Sequence, residues 1–143
     1  MFVENLTETI LLGKEFAQKL DPKSIVLLEG PIGSGKTSFV KGIAEGLLIT
    51  DQVTSPTFAL SHHYKSGKIP LIHLDLYRLE NKFSAIEFFA EEEEEANEIG
   101  AILVIEWPQL IKPFIDKYWK IEINYNEDFG RNYTIWDPKN SLT

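Results

Sequence analysis

The sequence predicts an α/β chain in three layers, a mixed sheet flanked by helices. Three observations predict it. The apolar run Ile25-Val26-Leu27-Leu28 leads into the glycine-rich stretch Gly30-Pro31-Ile32-Gly33-Ser34-Gly35-Lys36-Thr37, and a helix-compatible segment from Ser38 to Leu47 leaves it. A second uninterrupted apolar run, Ala101-Ile102-Leu103-Val104-Ile105, has the character of a strand covered on both faces. Alternating runs between Thr57 and Leu76, and again between Trp119 and Ile135, supply hairpins that complete the sheet. The eight residues from Gly30 fit G-x-x-x-x-G-K-[ST], so the expected fold is a P-loop NTPase-like domain spanning residues 1–143.

The elements follow in order. Asn5-Leu6-Thr7-Glu8 reads as a helix start, with Asn5 as cap and Glu8 three residues on. Leu12, Phe16 and Leu20 recur at i+4, giving an amphipathic helix that should stop at Asp21-Pro22. The strand from Ile25 and the helix to about Leu47 come next, with Gly42 marking a close approach. Thr57–Tyr64 and Ile69–Leu76 read as strands joined by the turn Lys65-Ser66-Gly67-Lys68. In the second of these Ile72, Leu74 and Leu76 share one face, while His73, Asp75 and Tyr77 share the other. Glu80 to Glu98 is helix-compatible and acidic, and the run Glu91–Glu95 is either a solvated face or connector, or a surface for a basic partner. After the Ala101–Ile105 strand, Trp119–Tyr125 and Tyr133–Ile135 alternate, with Asn126–Gly130 as the turn between them.

The glycine-rich stretch carries the chemistry. Its glycines let the backbone curl so that successive N–H groups form an anion nest, and the following helix adds its positive end. Lys36 would supply charge for β- and γ-phosphates, and the Thr37 hydroxyl could ligate Mg²⁺. The expected nucleotide set is Gly30, Ile32, Gly33, Ser34, Gly35, Lys36, Thr37 and Ser38. Hydrolysis also needs a metal-binding carboxylate and a group that orients water, and such acids stand at strand ends near a P-loop. Asp75 and Glu106 both qualify, and the sequence does not divide the two tasks between them. Ser55-Pro56-Thr57 offers two hydroxyls on a rigid turn, suited to a switch loop that senses phosphate or metal. Trp107 either packs on a nucleotide or belongs to the core. Arg78 could balance phosphate charge or pair with a structural acid. His73 reads as a proton shuttle or as a satisfied strand histidine. His62 and His63 receive no role. Asn81-Lys82-Phe83-Ser84 lacks the aspartate of an Asn-Lys-x-Asp guanine signature, which favours ATP.

Composition bounds the partners. The net charge of −8 disfavours autonomous binding to a polyphosphate backbone, so any nucleic acid should be held by another protein. No apolar run reaches the ~20 residues that span a bilayer, the first twelve residues lack a signal-peptide pattern, and there is no cysteine. These features suit a cytoplasmic chain with no membrane partner.

Four strings together are more specific than the P-loop: Gly33-Ser34-Gly35-Lys36-Thr37, Ser55-Pro56-Thr57-Phe58, His73-Leu74-Asp75-Leu76-Tyr77-Arg78-Leu79 and Ile105-Glu106-Trp107-Pro108. In order and spacing they resemble, across nearly the whole chain, the bacterial P-loop ATPase family of tRNA threonylcarbamoyladenosine synthesis, TsaE or YjeE. Thr9 followed by Gly13, and Arg131, match as well. The resemblance implies an ATPase that joins TsaB and TsaD and supports modification of adenosine 37, with tRNA engaged indirectly and the bond formed elsewhere. It further implies Mg²⁺ and ATP as cofactors, Thr37 and Glu106 as metal ligands, and Asp75 as essential for hydrolysis. Ser55 and Thr57 would belong to the switch loop, with Thr9 and Arg131 as nucleotide contacts. A non-catalytic nucleotide-binding adaptor and a small-molecule kinase are the alternatives, and the presence of only two arginines argues against a kinase lid. The chain departs from the family in having no glycine between Ser84 and Ala90, and Ile32 where leucine is common.

Overall fold

The computed structural model describes residues 1–31, 33–56, 60–125 and 130–138. Its strands are β1 (Phe2–Val3), β2 (Ile25–Glu29), β3 (Ser61–Tyr64), β4 (Leu71–Asp75), β5 (Ile102–Glu106), β6 (Trp119–Tyr125) and β7 (Arg131–Trp136). Its helices are α1 (Leu6–Ala17), α2 (Lys36–Gly46) and α3 (Lys82–Ile99), with one 3₁₀ turn at Lys112–Phe114. The strands form one sheet in the order β1-β7-β6-β2-β5-β4-β3. Neighbours β6, β2, β5 and β4 run parallel, and the hairpin strands β3 and β7, with β1, run antiparallel to theirs.

The consecutive apolar residues of the central strands serve two cores. Val26, Leu28, Val104 and Ile121 pack on one face against Phe16 of α1 and Phe39 and Ile43 of α2. Leu27, Ile72, Leu74, Leu103 and Ile105 pack on the other against Ala85, Phe89 and Ala96 of α3. This is the mixed, three-layer α/β arrangement expected from the sequence. No helix among the described residues is long and apolar enough to cross a membrane.

Local chemistry sets the element ends. Asn5 caps α1 by accepting from the Glu8 amide at 2.9 Å, while the Glu8 carboxylate takes the Glu4 amide rather than that of Asn5. The helix stops at Ala17, short of the expected Asp21-Pro22 boundary, although Leu20 remains buried beyond it. Asn81 is the N-cap of α3, accepting from the Phe83 and Ser84 amides, and Gly100 ends that helix in the left-handed region. The acidic run is thus helical. Glu92 within it accepts from the Ser61 hydroxyl at 3.0 Å and pairs with His63 at 2.7 Å, which ties α3 to β3. His62 meets the Thr54 carbonyl and the Tyr64 hydroxyl through Nδ1, each at 3.1 Å. Strand β1, absent from the expected order, pairs Phe2 with Asn132 and Val3 with Arg131. The turn expected at Asn126–Gly130 lies outside the described residues except for Gly130.

Candidate functional site

The site forms where the C-terminal ends of β2, β4 and β5 meet the start of α2. Gly33 and Gly35 adopt φ of +79° and +102°, a region open to glycine, and Gly35 is the N-cap of α2. The chain therefore turns sharply and delivers the unpaired amides of the α2 N-terminus to a cleft of about 390 Å³. Arg131 on β7 steadies the curl from outside, with Nε donating to the Ser34 carbonyl at 2.8 Å and Nη2 to that of Gly33 at 3.2 Å.

Parallel pairing places Asp75 of β4 opposite Glu106 of β5, and β5 in turn pairs with β2. The two carboxylates thus stand side by side below the loop, each at most 4% exposed. Strand β5 lies directly beside β2, and Asp75 reaches the site from one strand further out. Each acid is held. The Tyr77 amide donates to Asp75 Oδ1 at 2.9 Å, and His73 Nε2 lies 2.5 Å from Glu106 Oε2. Lys36 completes the cluster. Its Nζ donates to the Gly30 carbonyl at 2.7 Å and lies 3.8 Å from the centre of the Trp107 ring. Burial pushes the Lys36 ammonium below the usual lysine range, and the charges of Glu106 and then Asp75 oppose that shift. Trp107 occupies a positive φ of +58° and packs against Tyr77 in a tilted contact with ring centroids 4.8 Å apart.

The cleft therefore brings together Gly33, Gly35, Lys36, Thr37, Ser38, Ser55, Asp75, Glu106 and Trp107. Gly30 lies beneath it through its bond to Lys36, and Ser34 is fully buried, its Oγ without a partner among the described residues. Ile32 and Thr57 lie outside the described residues. Thr9 is not brought to the cleft. It is fully buried on α1, and its hydroxyl donates to the Asn5 carbonyl at 3.2 Å. Arg78 is exposed and does not line the cleft. Leu6 and Tyr77 do line it, although neither was singled out from the sequence. Tyr77 could have been found, since it shares a face with His73 and Asp75; Leu6 carries no comparable signal.

The donor set suits a hard cation that keeps much of its own shell. A threonine hydroxyl and two carboxylates are oxygen donors of the kind Mg²⁺ takes, together with water and phosphate oxygens. No group of three His, Cys, Asp or Glu able to hold a metal occurs among the described residues. The opposed elements, an electropositive curl with a lysine and a buried acidic pair, fit a phosphate–metal complex better than either component alone.

Comparison with known proteins identifies relatives of the chain. The family model described as "Threonylcarbamoyl adenosine biosynthesis protein TsaE" matches residues 3–133. A Nostoc protein named "tRNA threonylcarbamoyladenosine biosynthesis protein TsaE" is 37% identical over 136 residues, covering 94% of this chain and 83% of that one. A Synechocystis protein of the same name is 40% identical over 109 residues, 76% of this chain and 69% of its own. The crystal structure of Bacillus subtilis YdiB superposes with a TM-score of 0.80 at 30% identity, over 99% of this chain and 86% of that one.

Proposed function

The chain belongs to the TsaE family, and from that premise we propose that it is a Mg²⁺-dependent ATPase acting in tRNA threonylcarbamoyladenosine biosynthesis. Family membership supports the pathway. The observation that carries the ATPase reading is the register pair Asp75–Glu106 facing Lys36 beneath the curl of Gly33–Gly35. In this reading the loop amides and Lys36 bind the β- and γ-phosphates, with Lys36 exchanging the Gly30 carbonyl for phosphate oxygen. Thr37 and Glu106 hold the cation, which when bound neutralises charge building on the phosphate oxygens. Asp75 orients the attacking water, and Ser55 belongs to the loop that responds to the γ-phosphate. Trp107 covers the lysine before the nucleotide arrives.

The protein acts with TsaB and TsaD in the cytoplasm, without forming the threonylcarbamoyl bond itself, and meets tRNA through that assembly. Its charge of −8 supports the division of labour, because the tRNA grip then belongs to the partners. Phosphate release measured with and without TsaB, TsaD and tRNA tests the proposal. Slow turnover alone and faster turnover with the partners are expected, with Lys36→Ala and Asp75→Ala each abolishing the stimulated rate. Stimulated hydrolysis that survives either substitution would sink it.

A further inference from the structure

We propose that His73 is a positioning residue for Glu106: its Nε2–H holds one carboxylate oxygen and so directs the other toward the cation. This inference rests on the nucleotide-binding reading given above and adds a residue to it. His73 lies on β4 opposite Val104 of β5, so Glu106, two residues further along, is its diagonal neighbour on the same face. The imidazole is fully buried, Glu106 is 3% exposed, and Nε2 and Oε2 are 2.5 Å apart. A buried carboxylate accepts hydrogen bonds, so the proton of this contact belongs to Nε2. Nδ1 has no partner among the described residues. Glu106 is thus the hydrogen-bond partner that the described residues offer this ring.

This contact does something that packing alone would not. A carboxylate beside a cation can bind through one oxygen or two, and can turn about its last bond. With Oε2 taken by His73, that rotation is stopped and one oxygen remains for one-point coordination, which a small octahedral cation accepts alongside a hydroxyl and phosphate oxygens. Asp75, two residues beyond His73, receives its own restraint from the Tyr77 amide. One strand therefore carries an acid of the site and the group that orients the other acid.

The test is Mn²⁺ affinity of the protein–ADP complex, read by electron paramagnetic resonance, with ADP affinity in EDTA measured alongside. His73→Leu fills the space without a donor, and His73→Gln keeps an N–H near the position of Nε2. We expect the leucine variant to bind Mn²⁺ about 10–100-fold more weakly, the glutamine variant to recover most of that loss, and ADP affinity in EDTA to be unchanged throughout. His73→Asn keeps a polar group too short to reach Glu106 and should lose Mn²⁺ affinity as leucine does, which maintains the test if leucine impairs folding. A folded leucine or asparagine variant that binds Mn²⁺ like wild type overturns the role of His73 alone. Wild-type protein that takes up neither ADP nor Mn²⁺ overturns the nucleotide reading and this inference with it.

Discussion

Lys36 is drawn in two directions by its surroundings. Removal from water disfavours its charge, and Glu106 and Asp75 favour it, with burial the larger effect. Its folded-state pKa therefore lies below the ordinary lysine value, and between the two the unfolded chain binds more protons. Stability contributed by this group then rises with pH across that window, and below the window its full cost is present. Urea unfolding of wild type and Lys36→Met between pH 8 and 11 isolates the effect, because the carboxylates do not titrate there. The stability of wild type relative to the variant should climb with pH, and a flat or falling difference would contradict the assignment. At this scale much of the site was legible. The glycine-rich run and the two strand-end acids have local patterns, because backbone curl and charge placement need particular residue types at fixed spacing. The role of Leu6 at the cleft was not legible, since an apolar residue in the first turn of an amphipathic helix looks the same whether it meets core, solvent or ligand. Thr9 shows the reverse: its position matched a family pattern, and the fold turns its hydroxyl to its own helix.

Among elements, the crossing of α1 and α2 is the tightest junction behind the site. A Cβ on Gly42 would stand 2.1 Å from the Ile10 carbonyl oxygen and 2.9 Å from the Cα of Gly13, and one on Gly13 would stand 2.3 Å from the Phe39 oxygen. These neighbours are backbone, so they cannot rotate away. Alanine gains about 1 kcal/mol over glycine in a free helix, but overpacking of this kind costs typically 1–3 kcal/mol or more. Because the obstacle is main chain on both sides, the clash wins. With the cost at the upper end of that range, Gly42→Ala should lower unfolding free energy by about 2 kcal/mol net in urea melts, and a neutral or stabilising result would refute the close approach. Gly42 inside a helical pattern pointed to a close approach from the sequence, without naming the helix it meets. The register that sets Asp75 against Glu106 did not show itself there, because pairing of parallel strands is decided by packing across the sheet. Strand β1 was hidden for a related reason: two residues have no periodicity, and only the edge of β7 defines them as a strand.

Across the whole molecule, charge and topology point to a division of tasks. At one end of β2 the sheet brings together a lysine and the α2 N-terminus, where the proposed nucleotide would bind. The chain as a whole is dominated by acid, 22 Asp and Glu against 14 Lys and Arg, and α3 carries five consecutive glutamates. Nucleic-acid affinity grows with the number of phosphates neutralised by basic side chains and falls steeply with salt. Even basic proteins bind non-specifically only at about 10⁻⁴–10⁻⁶ M in physiological salt. An acidic surface must meet the same phosphates against its own field, and the repulsion extends over a Debye length of about 8 Å at that ionic strength. A local basic patch would have to overcome that field, while Arg131, one of two arginines, is spent on the carbonyls of Gly33 and Ser34. Filter binding of this chain alone to tRNA in about 0.15 M salt should therefore show no saturation at concentrations where basic proteins bind. Lowering the salt should bring little recovery, because screening here hides repulsion as well as attraction. With TsaB and TsaD present the chain should be retained with the tRNA as part of the assembly. Saturable binding by the isolated chain, with an affinity that rises steeply as salt is removed, would mean that this protein grips the nucleic acid directly and that the proposed division of labour is wrong.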